Sequence, residues 1–295
     1  MAAAAGPAAA GPAATGPAHG TAWAVAWARH GGGTLPLPAP SALVAPPHWR
    51  AVDFISDLHL SEALPLTFGA FAAHLRHTDA DAVFVLGDLF ELWVGDDERH
   101  QPFAARCVQA LAAASAHRTL ALMGGNRDFL IGSQLCAACG AHLLPDPTLL
   151  EAFGQRVLLT HGDALCIDDT AYQAFRRTVR DPVWLAAFLA RPLAERLGFA
   201  RGLRQASDSR RQFDGDSSAD AAQPLAGALL HATAARTLVH GHTHRAGSDT
   251  WANGAVRHVL GDWDLDAPGP RTRAGVLRLD SRGFRRMPPA SSTLP

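Results

Sequence analysis

Short apolar runs recur along the chain from residue 51 onward, and stretches with helical spacing separate most of them. The runs are rich in β-branched and aromatic residues, which is typical of buried strands. The pattern predicts strands over 52–56, 82–86, 119–123, 148–152, 155–160, 236–239, 255–260 and 275–279, and helices over 68–76, 102–117 and 133–139. Alternating strands and helices, followed by a helical insertion and a mostly β region, indicate an α/β fold.

The N-terminal segment lacks any such pattern. Residues 1–47 are dominated by Ala, Gly and Pro and show no hydrophobic periodicity, so they cannot bury a core. We therefore predict a disordered extension over residues 1–49 and one domain over residues 50–295. A secretory signal is the alternative, but no Lys or Arg precedes Arg29 and the run has no Leu-rich centre. A start codon assigned too far upstream would give the same composition.

Charge and composition limit the kinds of molecule that the protein is expected to bind. The 295 residues carry a formal net charge of −1, so no basic field favours nucleic acid. The 26 residues counted as Lys or Arg are all arginine, so any phosphate clamp must use guanidinium groups. Only one Cys-x-x-Cys pair occurs among Cys107, Cys136, Cys139 and Cys166, which predicts free thiols rather than a zinc site. No apolar run approaches the ~20 residues of a transmembrane helix.

Five of the apolar runs end in a turn whose side chains could bind a metal ion. The residues are Asp57, His59, Asp88, Asn126, His161, His242 and His244. A turn, a helix cap or an ordinary hydrogen bond would account for one such ending. Oxygen and nitrogen ligands at five strand ends, without thiolate, predict instead a two-metal hydrolytic site.

The spacing of these residues suggests how two ions would share them. Asp57 and His59 are two apart, so both point the same way at a strand end and suit one metal. Asp88 is a lone carboxylate between two ligand sets and is the natural bridge, whereas Asn126 adds a neutral oxygen to a second ion. The mixture of ligands favours Mn²⁺, with Fe, Co or Zn as alternatives and Mg²⁺ less favoured by the histidines. Two ions ~4 Å apart would stabilise an in-line displacement at phosphorus.

The helical insertion, at about 168–225, lies between two groups of candidate ligands in the sequence. Its apolar residues include Trp184, Leu185, Phe188, Leu189, Leu193, Leu197 and Phe199, and arginines are interleaved with them. Pro192 is predicted to break or kink its first helix. One interpretation is an amphipathic helical hairpin with a solvated arginine face. The other is an apolar, arginine-rimmed cap over the site, which would fit a substrate with both an acyl chain and a phosphate.

The ordered motifs DLH, GD, GN, HG and GHTH, between Asp57 and His244, resemble the signature of the calcineurin-like metallophosphoesterases. The resemblance implies a four-layer α/β/β/α sandwich with a dinuclear centre, to which the insertion adds a helical cap. By the same resemblance, Asp57, His59, Asp88 and His244 would hold one metal. Asp88, Asn126, His161 and His242 would hold the other.

Longer segments resemble a family within this superfamily that hydrolyses UDP-2,3-diacylglucosamine to UMP and lipid X in lipid A biosynthesis. They are FISDLHL, LGDLFELWVGDD, GNRDFLIG, HGDALCIDDTAYQAFR, VHGHTHR and VLGDW. The resemblance implies catalytic roles for Asp88, Asn126, Arg127 and His161. It implies substrate contacts for Asn126, Arg127, Asp169, Tyr172, His242 and, in the cap, Ser207. We further expect two Mn²⁺ ions, no nucleic-acid partner, and a monomer bound peripherally to the cytoplasmic face of the bacterial inner membrane.

Two features depart from that family. Its cap usually carries lysines that touch the substrate, whereas this chain has none, and Arg210 and Arg211 are the candidates to replace them. Its late motif often has Ala between Gly and Trp, where this chain has Asp262. No role for Asp262 follows from the sequence.

The residue after Asn126 bears on the leaving group. Many calcineurin-like enzymes have a histidine there that can protonate a poor alkoxide leaving group, and this chain has Arg127. A phosphate leaves without a strong proton donor, because its second pKa is about 6. Arg127 is therefore predicted to neutralise charge on a pyrophosphate. A simple ion pair with Asp128 is the alternative.

The sequence leaves three other functions open. A phosphoesterase acting on nucleotides or phosphoproteins would share every ligand, but the apolar cap and Arg127 argue against it. An inactive metal-binding or membrane-recruiting module would be expected to lack at least one ligand, and none is missing. A nuclease would be expected to carry a basic stripe, which this chain lacks.

Overall fold

The computed structural model describes residues 27–30, 33–36, 40–214 and 219–291, with side chains described over 40–204 and 219–291. The strands are β1 (Trp27–His30), β2 (Gly33–Pro36), β3 (Ser41–Val44), β4 (Ala51–Ile55), β5 (Ala82–Leu86), β6 (Thr119–Met123), β7 (His142–Leu144), β8 (Thr148–Ala152), β9 (Gln155–Thr160), β10 (Thr237–His240), β11 (Gly247–Thr250), β12 (Val256–Val259), β13 (Val276–Asp280) and β14 (Gly283–Met287). The α-helices are α1 (Pro65–His77), α2 (Pro102–Ser115), α3 (Ser133–Cys139), α4 (Thr170–Val179), α5 (Pro182–Leu189), α6 (Leu193–Asp214) and α7 (Gln223–Ala232).

Two six-stranded mixed sheets form the centre of the molecule. Sheet I has the order β14-β13-β4-β5-β6-β7, and sheet II has the order β11-β12-β10-β9-β8-β3. Strands β4 to β7 are parallel to one another, and β9, β10 and β12 are parallel in sheet II. The carboxyl ends of the parallel strands therefore meet at one edge of each sheet, and the predicted ligands follow those ends.

Three apolar layers hold the two sheets and the helices together. The layer between the sheets contains Val52, Phe54, Phe84, Met123, Leu150, Leu159 and Val239. Helices α1, α2 and α3 cover the outer face of sheet I through Phe71, Leu75, Cys107, Leu111, Leu135 and Cys136. Helix α7 covers the outer face of sheet II through Leu225, Ala226 and Leu229, which pack with Leu158 and Leu238. The predicted four-layer α/β/β/α sandwich is confirmed.

The four cysteines are free thiols within this core, as the sequence predicted. Cys136 and Cys139 lie on α3, packed against sheet I. Burial raises the pKa of Cys136 to about 12, so the thiol stays protonated. The Cys-x-x-Cys pair therefore belongs to the packing of α3.

The structure differs from the sequence-based prediction at the N-terminal boundary. Disorder was predicted through residue 49, yet β1 pairs with β2 in an antiparallel arrangement. Strand β3 pairs in parallel with β8, with Ser41 opposite Thr148. Trp49 is 7% exposed, and its ring meets Phe84 edge-on at 6.1 Å. Strand β3 was missed because it is an edge strand whose side chains are mostly exposed. Residues 1–26, 31–32 and 37–39 lie outside the described part of the chain, so the prediction for them stays a prediction.

The insertion consists of α4, α5 and α6, with Pro192 between α5 and α6. Trp184 stacks on Phe188 with ring centroids 4.7 Å apart, and Phe199 lies 5.5 Å from Phe188. Arg196 is 3% exposed and donates to the Val94 carbonyl, so it does not lie on the solvated arginine face that one of the two interpretations assumed. The insertion is thus attached to the loop that follows β5.

Candidate active site

Five of the seven predicted ligands have a left-handed backbone conformation. Their φ values are 54° for Asp57, 49° for His59, 53° for Asp88, 65° for His242 and 57° for His244. This conformation costs about 1–3 kcal/mol for each residue other than glycine and collects at functional sites. The strain is thus concentrated at the strand ends that carry the predicted ligands.

Glycines in the ligand motifs allow the loops to approach one another. A Cβ at Gly125 would lie 2.1 Å from Asp88 Oδ1, and a Cβ at Gly241 would lie 2.3 Å from Asp57 Oδ2. Any side chain at either position would displace a carboxylate. The glycines before Asn126 and His242 are thus required by the close packing of the ligand loops.

Asp57, His59 and His244 form one group of potential ligands. Their ligand atoms lie within 4.8 Å of one another, and His244 Nε2 is 3.3 Å from both Asp57 Oδ1 and His59 Nε2. The buried Asp57 accepts hydrogen bonds from the Ser56 hydroxyl and, at 3.0 Å, from the His242 backbone N–H. Burial opposes its charge, but His244 and His161 outweigh burial and lower the pKa of Asp57, so it is a carboxylate.

Asn126, His161 and His242 form a second group. Asn126 Oδ1 is 2.9 Å from His161 Nε2 and 2.8 Å from His242 Nδ1. His161 Nδ1 lies 3.0 Å from the Leu86 carbonyl and donates to it, which leaves Nε2 facing the Asn126 oxygen. An amide oxygen and two imidazole nitrogens converge here, and a metal ion bound by His161 would take the place of the proton on Nε2. The donor set therefore fits a metal ion.

The electrostatics of the site also favour a cation. Burial, together with the nearby Asp128 and Asp57, raises the pKa of Asp88 to about 7, although His161 opposes the shift. Burial opposes a charged His161, but Asp88 and Asp57 outweigh burial and raise its pKa to about 9. Asp57, Asp88 and His161 form a further group of potential ligands within 4.8 Å. Asp57 therefore belongs both to this group and to the group with His59 and His244. The role of Asp88 as a bridge between two ions stays a prediction.

Arg127 lies at the mouth of the site but does not pair with Asp128. Asp128 is fully buried and accepts backbone N–H groups of Asp88 at 3.1 Å and Gly125 at 2.7 Å. Arg127 Nη1 instead lies 3.4 Å from Glu91 Oε1. The alternative interpretation of Arg127 as a partner of Asp128 was therefore wrong.

Glu91 is a site residue that the sequence analysis missed. Its second oxygen is 3.5 Å from His59 Nδ1, and Arg204 of α6 also contacts its carboxylate. Glu91 therefore connects a potential metal ligand, the predicted phosphate-binding arginine and the cap. Its position three residues after Asp88 was the available signal.

Asp163 is the second missed residue, and it joins α4 to the ligand loops. This fully buried carboxylate accepts from the Tyr172 hydroxyl at 2.5 Å, Arg176 Nε at 2.9 Å and Arg180 Nη2 at 3.3 Å. Arg180 Nη2 also donates to the Gly125 carbonyl at 3.1 Å. The three partners recur every four residues and so share one face of α4. That spacing was visible in the sequence, whereas their common acceptor was not.

The predicted substrate-binding residues differ in whether the structure places them beside the potential ligands. Tyr172 lies beside the site, because its ring stacks on His242 with centroids 6.0 Å apart. Asp169 is exposed and caps α4 by accepting the Tyr172 backbone N–H at 2.9 Å. Ser207, Arg210 and Arg211 belong to α6, but their side chains lie outside the described part of the structure. Their contacts with substrate stay predictions.

A family model for the calcineurin-like phosphoesterases matches residues 51–246, which include all seven potential ligands. The chain belongs to this family. This phosphoesterase is 44% identical over 241 residues to the UDP-2,3-diacylglucosamine hydrolase of Chromobacterium violaceum, covering 81% of this chain and 98% of that protein. It is 44% identical over 243 residues to the protein of the same name from Xanthomonas oryzae pv. oryzae, covering 78% and 95%. Among solved structures, Yfce, a phosphoesterase from E. coli, is 16% identical, covering 78% of this chain and 88% of that chain with a TM-score of 0.37.

Proposed function

We propose that this phosphoesterase hydrolyses the pyrophosphate bond of UDP-2,3-diacylglucosamine, releasing UMP and 2,3-diacylglucosamine 1-phosphate (lipid X) in lipid A biosynthesis. The main support for the proposal is that all seven potential ligands lie beside an apolar helical insertion. The insertion contacts the ligand loops through Tyr172 and Arg180. The relatives named for this substrate match nearly their whole length, 98% for the C. violaceum protein. A site for phosphate chemistry next to an apolar surface fits a substrate with both a pyrophosphate and acyl chains.

We assign the metal-binding residues in two sets. Asp57, His59, Asp88 and His244 would hold one divalent ion, and Asp88, Asn126, His161 and His242 would hold a second. Mn²⁺ suits their mixture of oxygen and imidazole nitrogen. Such ions supply Lewis-acid stabilisation at phosphorus and lower the pKa of a water nucleophile.

Arg127 would bind the pyrophosphate and neutralise its charge. Its side chain is 15% exposed, so its guanidinium group lies in the cleft rather than in bulk solvent. Glu91 holds this arginine from one side, and the Arg127 backbone N–H donates to Asp88 Oδ1 at 2.8 Å. The arginine is therefore oriented beside the ligands. Because the leaving group is a phosphate, no residue has to deliver a proton to it.

The cap would bind the acyl chains. Trp184, Phe188 and Phe199 form an aromatic cluster, and Leu203 and Phe199 remain 39% and 40% exposed. Burial of acyl methylenes on this surface stabilises by about 0.8 kcal/mol each. Such energy, remote from the reacting bond, can be used to orient the pyrophosphate.

We also propose peripheral binding to the cytoplasmic face of the inner membrane, where an acylated substrate resides, and a monomeric state without nucleic-acid partners. Within the described residues, no helix combines the length and the apolar character that crossing a membrane requires. Val183 and Leu189 of α5 are 78% and 45% exposed. These apolar side chains are the candidates for contact with lipid.

The deciding experiment is hydrolysis of UDP-2,3-diacylglucosamine by chelator-treated protein to which Mn²⁺ is added back, scored as UMP release. We expect Mn²⁺-dependent release of UMP and none from UDP-N-acetylglucosamine, which lacks the acyl chains. Cleavage of generic phosphodiesters without cleavage of the acylated nucleotide would retain the metal site and overturn the substrate.

A further inference from the structure

Asp262, where the chain departs from the family motif, lies next to the potential metal ligand His244. Its Oδ2 is 3.7 Å from His244 Nδ1. The other ring nitrogen, Nε2, is 3.3 Å from Asp57 Oδ1 and 3.3 Å from His59 Nε2. One nitrogen of His244 therefore faces the potential ligands, and the other faces a carboxylate outside them.

The fold itself holds Asp262 in this place. Arg273 Nε donates to both carboxylate oxygens at 2.8 Å, and Arg273 Nη2 contacts Oδ2. The adjacent Trp263 donates its backbone N–H to the Asp57 carbonyl at 3.0 Å and its indole N–H to the Gly275 carbonyl at 3.1 Å. Asp262 is only 8% exposed. Its carboxylate is thus a fixed charge, compensated by a guanidinium group.

In His59, His161 and His244, the ring nitrogen that faces away from the proposed ions has a partner whose charge is not the same for all three. Behind His161 lies the neutral carbonyl of Leu86, at 3.0 Å from Nδ1. Behind His59 and His244 lie the carboxylates of Glu91, at 3.5 Å, and Asp262, at 3.7 Å. A carboxylate behind a metal-binding imidazole restricts the orientation of the ring and increases its basicity as a ligand.

We propose that Asp262 is a positioning residue for His244, which strengthens binding of the ion held by Asp57, His59 and His244 relative to the other ion. The inference rests on the proposed metal centre. Asp262 orients the imidazole through Nδ1, and Arg273 keeps the carboxylate in place. The two ions are therefore bound with unequal affinity, and Asp262 contributes to the difference.

A purely structural role for the Asp262–Arg273 pair is the competing explanation, because the pair joins two ends of one loop. The explanations differ in what the loss of Asp262 changes. A structural ion pair would change thermal stability and leave ion affinity unchanged. A positioning residue changes the affinity for one ion.

The test titrates chelator-treated, full-length protein with Mn²⁺ by isothermal titration calorimetry for wild type, Asp262→Ala, Asp262→Asn and Asp249→Ala. Asp249 of β11 is a matched control, because its carboxylate also pairs with an arginine, Arg257, at 2.8 Å. We expect Asp262→Ala to weaken one ion about 10–100-fold and to leave the other unchanged. Asp262→Asn keeps the shape without the charge and should lie between. Asp249→Ala should match wild type.

A second pair of proteins tests whether Asp262 acts through His244. Adding Asp262→Ala to a His244→Ala variant should cause no further loss of Mn²⁺ affinity. Equal affinities in wild type and Asp262→Ala would overturn the inference, even if the variant melts at a lower temperature. If wild type binds fewer than two ions, the dinuclear part of the proposed function fails, and the affinity for the remaining ion still decides the role of Asp262.

Discussion

Asp88 is buried in the company of Asp57 and Asp128, and burial raises its pKa to about 7. An ionised carboxylate that is buried beside other carboxylates destabilises the folded protein unless a positive charge binds next to it. Its Oδ1 accepts the Arg127 backbone N–H at 2.8 Å and lies 3.7 Å from His161 Nε2. The position of Asp88 between the two ligand groups is what makes it the candidate bridge.

Asp88→Asn tests this role with almost no change of shape. The amide oxygen can still accept the Arg127 N–H, but the negative charge shared by two ions is lost. Because replacement of an outer partner alone costs about 10–100-fold, we expect UMP release to fall by more than ~10²-fold. Full turnover, measured at saturating Mn²⁺, would refute the dinuclear assignment.

Arg127→His tests the link between this residue and the leaving group. Loss of one charge-stabilising contact should reduce cleavage of the acylated UDP-sugar by about 10²–10³-fold. The imidazole could protonate an alkoxide, so cleavage of an alkyl ester of UMP should increase relative to the pyrophosphate. Arg127→Gln is the control, because it removes the charge without supplying a proton donor. Identical substrate ratios in the two variants would contradict the leaving-group argument.

At the scale of elements, the central strands could be predicted from the sequence and the outer ones could not. Strands β5, β6, β8 and β9 have the predicted bounds, because each is an apolar run buried within a sheet. Among the missed strands, β3, β7, β11 and β14 are the four edges of the two six-stranded sheets, and β1 and β2 form a separate two-stranded sheet. An edge strand has a partner on one side only and buries less, so it lacks the apolar run that identifies a strand.

The same reasoning explains which site residues were found. Side chains directly after central strands are visible in the sequence, and the structure brings all seven potential ligands together. Glu91 and Asp163 act through partners on α6 and α4. Those contacts depend on how the cap packs, which no local pattern records.

Helix α1 carries a buried histidine that should make stability depend on pH. His74 Nδ1 accepts the Ala290 backbone N–H at 3.1 Å, which requires the neutral ring, and burial lowers the pKa of His74 to about 4. The unfolded state therefore takes up a proton at higher pH than the folded state. Stability should fall by on the order of 3 kcal/mol as pH decreases from 6.5 to 4.

His74→Gln should remove this contribution, because glutamine does not titrate. Urea unfolding of wild type and variant at several pH values measures the difference in free energy of unfolding. We expect that difference to shrink as pH falls from 6.5 to 4. A constant difference over this range would show that His74 does not titrate as argued.

At the scale of the whole molecule, β3 belongs to sheet II although it precedes the predicted domain boundary at residue 50. Two truncations test this boundary. A chain that starts at residue 40 keeps β3, including the bond from the Ala45 N–H to the Glu151 carbonyl at 2.8 Å. A chain that starts at residue 48 loses that strand and exposes the edge of β8. We expect the second chain to be about 2–4 kcal/mol less stable than the first. Equal melting temperatures would restore the boundary predicted from the sequence.

The potential ligands come from both sheets: Asp57, His59, Asp88 and Asn126 follow strands of sheet I, and His161, His242 and His244 follow strands of sheet II. An ion held by residues of both sheets would act as a reversible cross-link between the two halves of the sandwich. Mass action then makes unfolding depend on free metal, with about 2.7 kcal/mol of added stability at a hundred times the dissociation constant. The melting temperature, followed as Mn²⁺ is added, should therefore report the occupancy of the centre without any substrate present.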